Sequence, residues 1–186
     1  MQSKQKQKLY IIPGWGETPR FKNSRELIDI VSEKYKVVPI RYVSKKEALL
    51  SENLKIVRDQ LKSPTNKSII LGFSMGALFA YILASEIKFE KVIVCSISPI
   101  LENDLDFYAP EDVHKLFTDR EIKEFKRWKY KKIKCPAIFM CGDKEGEEET
   151  FRTKELHKKN GGKIVIIKGQ THKLNKKYLR EIKKFL

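Results

Sequence analysis

The sequence has little cysteine and no long apolar run, and both shortages restrict what the protein can be. Its three cysteines, Cys95, Cys135 and Cys141, are odd in number and form no C-x-x-C pair. Because each lies in or beside an apolar segment, the pattern favours buried, reduced thiols. No apolar stretch approaches the ~20 residues that a membrane-spanning helix requires. The polar stretch 1–8 has no apolar region of the kind that an export signal needs, so we expect a cytoplasmic protein.

The length and the charge balance indicate one globular domain with a strongly basic surface. The chain has 186 residues, of which 41% are hydrophobic, and 39 basic against 24 acidic residues give a net charge of +15. This charge would suit nucleic acid, an anionic membrane surface or an acidic protein. The lysines, however, are spread over nearly every predicted helix, which favours a solvated surface. Nucleic-acid binding is therefore the weaker interpretation, although segment 123–134 interleaves basic and aromatic residues.

Apolar runs and helical patterns alternate along the chain. Strands are predicted at 9–12, 36–42, 68–71, 92–95, 137–141 and 163–167. Helices are predicted at 23–34, 75–87 and 147–159 and after His172. A further helix follows a Ser44–Glu47 capping box and ends at about residue 62. This alternation predicts a parallel sheet covered by helices on both faces. Pro39 cannot donate a hydrogen bond to a neighbouring strand, which confines the second strand to a sheet edge.

Segment 98–135 interrupts this alternation. It contains apolar and aromatic residues and a second capping box, Thr118–Glu121, ahead of a helical pattern. We therefore predict a small helical insertion within a single domain that spans 1–186.

The pentapeptide Gly72-Phe73-Ser74-Met75-Gly76 places a serine between a predicted strand and a predicted helix. The pattern G-x-S-x-G is weak alone, but its flanks strengthen it. A nucleophile at such a turn has a strained backbone, so the residues two before and two after it must be nearly without side chains. The positive end of the following helix favours negative charge at the site, and the backbone N–H of Met75 is the expected donor. The alternative is that Ser74 is a plain turn residue.

A serine hydroxyl needs a base within hydrogen-bond reach, and the base needs a partner that holds its tautomer. Of the three histidines, His172 alone follows a predicted strand, and Asp143 directly follows another. These residues give the order Ser74, Asp143, His172. Taken singly, His172 could be a helix-cap neighbour and Asp143 a turn former. Glu145 or Glu147 could replace Asp143 if the loop folds differently.

The serine turn, the order of the three residues and the Gly14-Trp15 turn after the first strand resemble the α/β-hydrolase family. The resemblance covers nearly the whole chain. It implies a three-layer sandwich around a six-stranded, mainly parallel sheet in the order 2-1-3-4-5-6, with a small helical cap at 98–135. It also implies Ser74 as the nucleophile, His172 as general base and then acid, and Asp143 as the acid member. The backbone N–H groups of Trp15 and Met75 would bind the oxyanion.

The expected reaction is hydrolysis of a carboxylic ester or thioester through an acyl-enzyme, without a metal or organic cofactor. Aromatic residues that could line an acyl pocket, although isolated aromatics are more often core, are Phe73, Phe107, Tyr108, Phe125 and Trp128. The substrate would be a small molecule, either free or attached to an acidic carrier protein. The alternative is a non-catalytic binding module on a hydrolase scaffold that engages an acidic protein or RNA through the basic surface.

Overall fold

Parallel strands and helices alternate along the chain in the computed structural model, which describes residues 6–18, 20, 22–42 and 48–186. The strands are β1 (Lys8–Ile12), β2 (Lys36–Pro39), β3 (Ile69–Phe73), β4 (Lys91–Cys95), β5 (Ala137–Gly142) and β6 (Lys163–Ile167). The helices are α1 (Lys22–Ser32), α2 (Leu50–Gln60), α3 (Met75–Glu86), α4 (Pro110–Leu116), α5 (Asp119–Arg127), α6 (Glu147–Asn160) and α7 (Lys176–Lys183). The strands form one sheet in the order β2-β1-β3-β4-β5-β6, which confirms the predicted order.

Helices cover both faces of the sheet. Apolar residues of α1 and α7 pack on one face, and those of α2, α3 and α6 pack on the other. Strands β3 and β5 are buried along their whole length, and so is nearly all of α3. The continuous apolar runs of the sequence therefore correspond to strands covered on both sides, and the predicted three-layer sandwich is confirmed. Within the described ranges, no helix is long and apolar enough to cross a membrane.

Strand β2 lies on the sheet edge, as Pro39 predicts. The strand is shorter than the predicted 36–42. Pro39 opposite Ile11 is its last residue, and the N–H of Ile40 makes one further bond to the carbonyl of Ile11 at 2.9 Å. The N–H groups of Lys36 and Ile40 donate to β1, so position 39 faces the open edge of the sheet, where a proline removes no hydrogen bond of the ladder. The predicted Ser44–Glu47 capping box lies outside the described residues.

The segment between β4 and β5 carries a short 3₁₀ helix (Asp104–Phe107), α4 and α5. The predicted Thr118–Glu121 capping box is present: the Thr118 N–H donates to the Glu121 carboxylate at 2.7 Å, and the Glu121 N–H to the Thr118 hydroxyl at 3.4 Å. Buried Asp104 pairs with Arg152 of α6 and accepts the Tyr130 hydroxyl at 2.6 Å. The hydrogen bond to Tyr130 lies within the segment, and the pair with Arg152 fixes the segment against the main body. Its status as a cap within a single domain stays a prediction.

Candidate active site

Ser74 occupies a strained turn between β3 and α3. Its φ of 56° and ψ of −123° belong to a region that residues with a side chain rarely adopt. A Cβ on Gly72 would lie 2.1 Å from the carbonyl oxygen of Gly76, and one on Gly76 would lie 2.3 Å from the carbonyl oxygen of Ile12. Both positions therefore require glycine because the backbones approach too closely for a side chain. This is the steric role that the sequence predicts for them.

The carboxyl ends of β3 and β6 bring Ser74 and His172 together. The Oγ atom of Ser74 lies 2.9 Å from Nε2 of His172, although the two residues are 98 positions apart in the sequence. The imidazole packs against Phe73, with 5.4 Å between the ring centroids. The other two histidines lie elsewhere, His114 beside Asp119 and His157 beside a phenylalanine ring of β5. The structure thus places the expected base in hydrogen-bond contact with the expected nucleophile.

The carboxylate against this imidazole belongs to Glu145, not to Asp143. Its Oε2 lies 3.1 Å from Nδ1 of His172, and the exposed fraction of the Glu145 side chain is 0%. Asp143 is exposed, and its Oδ1 accepts the Gly169 N–H at 2.5 Å. The structure corrects the expectation that Asp143 orients the imidazole. The alternative carboxylate Glu147 is exposed at the start of α6.

The turn after β5 explains why Glu145 contacts the imidazole and Asp143 does not. It folds the Glu145 side chain back so that Oε1 accepts the Gly142 N–H at 2.6 Å. The turn is also joined to the loop after β6, because the Lys144 N–H donates to the Gln170 carbonyl at 2.8 Å. Asp143 is exposed and bonds to the same loop at the Gly169 N–H instead of to the imidazole. A signal for Glu145 exists in the sequence, since three residues after the strand-ending glycine is the spacing that lets a side chain reach back to that N–H.

Hydrogen bonds hold the Glu145 carboxylate in its charged form. Besides the Gly142 N–H, Oε1 accepts the Ser96 hydroxyl at 2.8 Å and the Tyr178 hydroxyl of α7. Burial acts to raise the pKa of Glu145, but the hydrogen bonds from His172, Tyr178, Gly142 and Ser96 lower it, and the net pKa lies below its usual value. Glu145 is therefore a carboxylate at neutral pH.

That carboxylate determines the state of the imidazole. Burial acts to lower the pKa of His172, but the hydrogen bond and charge of Glu145, together with the charges of Glu149 and Glu17, raise it above the usual 6.5. Nδ1–H donates to Glu145, which leaves the lone pair of Nε2 facing the hydroxyl of Ser74. The arrangement can accept a proton from that hydroxyl and stabilise the imidazolium that results.

Two backbone segments that could bind an oxyanion lie beside Ser74. A Cβ on Gly14 would lie 3.3 Å from the Cβ of Ser74, so the turn after β1 rests against the serine. Trp15, the next residue in this turn, is 39% exposed. Met75 is the first residue of α3, where an N–H has no acceptor inside the helix. Met75 is thus next to the serine in the chain, and Gly14, the neighbour of Trp15, is next to it in space. The two N–H donors stay a prediction.

Sequence reasoning missed Ser98. Its Oγ lies 3.2 Å from Oγ of Ser74, and its N–H points to the Ser74 carbonyl at 3.4 Å. The residue follows β4, so it lies at the same carboxyl edge of the sheet as the other site residues. Its position after a predicted strand was the signal in the sequence that could have identified Ser98 as a site residue.

A cavity of about 220 Å³ opens beside His172 and Ser98. Most of its wall comes from the segment between β4 and β5, and the other lining residues are Pro99, Ile100, Leu105, Tyr108, Asp112, Val113, Leu116, Phe117 and Glu149. The cavity is smaller than the roughly 300 Å³ at which pockets begin to hold drug-sized ligands. Within the part of the chain that the structure describes, no three His, Cys, Asp or Glu side chains are grouped as metal ligands.

Of the five aromatic residues predicted to line a pocket, Tyr108 lies on the cavity wall. Phe125 is one layer behind it, edge-on to the lining residue Phe117 at 5.1 Å between centroids. Phe73 packs under His172, and Trp128 packs against the core. Phe107 is exposed and pairs with Phe151 beside a separate depression. Four of these five aromatic residues belong to the segment between β4 and β5, where short helices and irregular stretches alternate. The spacing of residues in the sequence therefore does not show which of their rings face the cavity.

The fold of this chain is found again among solved structures. No protein-family model matches the sequence, and no curated protein does. Among solved structures, Est1E from Butyrivibrio proteoclasticus, solved with ferulic acid, aligns at 14% identity over 99% of this chain and 88% of its own, with a TM-score of 0.77. The esterase Pf2001 from Pyrococcus furiosus aligns at 20% identity over 98% and 83%, with a TM-score of 0.68.

The thioesterase RedJ of the prodiginine biosynthetic pathway in Streptomyces coelicolor aligns at 16% identity over 96% of this chain and 88% of its own, with a TM-score of 0.67. These similarities extend over nearly the whole sheet and its helices. Together with the strand order and the serine turn, they show that the chain has the α/β-hydrolase fold.

Proposed function

We propose that the protein is a serine hydrolase that cleaves carboxylic esters or thioesters through an acyl-enzyme on Ser74. The observation that carries this proposal is the continuous contact from Ser74 Oγ to His172 Nε2 at 2.9 Å and from His172 Nδ1 to Glu145 at 3.1 Å. The strained turn that presents the serine supports it. The names of structures with the same fold, which are esterases and thioesterases, support it as well.

Acylation begins when Oγ of Ser74 attacks the carbonyl carbon and its proton passes to Nε2 of His172. The Glu145 carboxylate stabilises the imidazolium. In this proposal the N–H groups of Trp15 and Met75 hold the oxyanion, and each donor contributes about 3 to 4 kcal/mol to the transition state. The alcohol or thiol leaves with the proton from the imidazolium. Water then attacks the acyl-enzyme with His172 as base, and Ser74 is released.

Covalent labelling tests the proposed function. A fluorophosphonate reacts with a serine only when that serine is activated, so we expect the wild-type protein to gain one adduct on Ser74 and to lose esterase activity in step with it. Intact-mass and peptide mass spectrometry measure the adduct. Active protein that acquires no adduct, or an adduct on another residue, would contradict the proposal.

The cavity predicts a preference for short to medium acyl chains. Its volume of about 220 Å³ and its mainly apolar wall suit a small uncharged acyl group, so among p-nitrophenyl esters we expect the highest kcat/KM between butyrate and octanoate. Leu116 lines the cavity yet is 65% exposed, so Leu116→Trp narrows the mouth without disturbing the core. This change should lower kcat/KM for octanoate by about tenfold and leave acetate nearly unaffected.

Phe107→Ala is the matched control for this substrate panel. Phe107 is exposed and lies outside the cavity, so its truncation should leave the chain-length profile as it is in the wild type. A profile that Leu116→Trp leaves unchanged, or that Phe107→Ala shifts, would show that the acyl group binds elsewhere.

For the leaving group, we propose the thiol of an acidic carrier protein to which the acyl group is attached as a thioester. The net charge of +15 would attract such a carrier, and the structures of similar fold include ClbQ from the colibactin NRPS/PKS pathway and the type II thioesterase BorB. The carrier version of the proposal requires a salt-sensitive kcat/KM for carrier-bound thioesters and a salt-insensitive one for free thioesters. If the protein were instead a non-catalytic binding module, Ser74→Ala would bind the acidic protein or RNA as tightly as the wild type does.

The predicted cytoplasmic location is also part of the proposal. Cys95 and Cys141 are buried as free thiols, and Cys135 is a partly buried free thiol, which fits a reducing compartment.

A further inference from the structure

The hydroxyl of Ser98 lies between the reacting atom and the acyl cavity. Its Oγ is 3.2 Å from Oγ of Ser74, and the same residue lines the cavity beside His172. The N–H of Ser98, directed to the Ser74 carbonyl at 3.4 Å, holds the two backbones together whatever side chain stands at position 98. Replacing the Ser98 side chain should therefore leave this backbone contact in place.

The direction of this hydrogen bond follows from the valence of the nucleophile. Oγ of Ser74 has one proton and two lone pairs. When the proton is donated to Nε2 of His172, the contact with Ser98 requires the Ser98 hydroxyl to be the donor. The free enzyme therefore already contains a hydrogen bond from Ser98 to the nucleophilic oxygen.

We infer that Ser98 is a further catalytic residue whose hydroxyl stabilises the departure of Ser74 Oγ during deacylation; this rests on the proposed acyl-enzyme mechanism. In the acyl-enzyme, Oγ is an ester oxygen and a weak acceptor. After water has added to the carbonyl carbon and given a proton to His172, the bond from that carbon to Oγ breaks. The bonding electron pair moves to Oγ, His172 returns the proton to it, and the carboxylic acid is released.

Oγ gains negative charge as this bond breaks, and a hydrogen bond to a charged oxygen is stronger than one to a neutral oxygen. Relative to the acyl-enzyme, where the bond from Ser98 is weak, the gain in the transition state is large. Relative to the free enzyme, where the two hydroxyl groups are already in hydrogen-bond contact at 3.2 Å, the gain for acylation is smaller. Only the difference between ground state and transition state accelerates a step, so Ser98 acts mainly on deacylation.

Stopped-flow hydrolysis of p-nitrophenyl butyrate separates the two steps, because p-nitrophenolate leaves readily and deacylation limits turnover. In Ser98→Ala we expect a burst rate constant within about threefold of the wild type and a kcat lowered by about tenfold, which corresponds to about 1.4 kcal/mol. KM should fall together with kcat, so that kcat/KM is nearly conserved. Ser98→Thr keeps a hydroxyl and should restore kcat.

Two results would overturn this role for Ser98. One is a wild-type kcat in Ser98→Ala. The other is an equal loss in burst rate and kcat that Ser98→Thr does not restore, which would mean that the residue only shapes the site. Failure of the proposed function itself looks different, because the wild-type protein would then show neither a burst nor fluorophosphonate labelling.

Discussion

Ser74→Ala should lower kcat/KM for p-nitrophenyl butyrate by roughly 10³-fold or more while the thermal unfolding midpoint changes little. The substitution removes the atom that attacks the carbonyl but keeps the backbone of the turn, whose N–H still donates to the Cys95 carbonyl at 2.9 Å. His172→Ala should cost about as much, because nucleophile and base act as a unit. Steady-state kinetics and a circular-dichroism melt of each variant measure the two quantities.

His114→Ala is the matched control for the histidine variant. His114 is exposed, pairs with Asp119 and has no contact with the site, so its loss should leave kcat/KM within about twofold of the wild type. Appreciable turnover by folded Ser74→Ala would contradict the assignment of the nucleophile.

Glu145→Gln should lower kcat/KM by roughly 10²- to 10⁴-fold, whereas Asp143→Asn should change it by about twofold at most. Glutamine lacks the charge that stabilises the imidazolium, and its amide N–H₂ can turn the imidazole to the wrong tautomer. Asp143 is exposed, and an asparagine oxygen can still accept the Gly169 N–H. The pair of variants therefore distinguishes two carboxyl groups only two positions apart.

The same variant has a signature in the pH profile. The base must be neutral to act, so wild-type kcat/KM should rise with pH through the pKa of His172, which lies above its usual 6.5. Glu145→Gln removes the hydrogen bond and the charge that raise this pKa, while burial, which lowers it, remains. The midpoint of the acid limb should therefore move to lower pH. A larger loss in Asp143→Asn, or an unmoved midpoint in Glu145→Gln, would refute the role of Glu145.

The parts of the fold that follow from hydrophobic burial were predictable from the sequence. The apolar runs before Gly72 and Gly142 had to be strands buried on both faces, and Pro39 excluded β2 from the centre of the sheet. Sterics also identified the serine turn, since the close backbone approach at Gly72 and Gly76 leaves room for no other residue. These features depend on local sequence and on general rules of parallel sheets.

The rest of the site depends on contacts between loops, and for these the sequence offers candidate residues without deciding among them. Asp143 and Glu145 lie in one short turn, and the hydrogen bonds of Gly142 and Gly169 decide which of them faces the imidazole. The cavity wall likewise depends on how the irregular segment after Ser98 packs on the body, which is why most of the predicted pocket aromatics lie elsewhere.

Direct trapping of the acyl-enzyme tests the central claim most directly. Wild-type protein mixed with p-nitrophenyl butyrate and quenched in acid during turnover should carry one butyryl group, and peptide mass spectrometry should place it on Ser74. Turnover without any acylated protein, or a butyryl group on a different residue, would contradict the account.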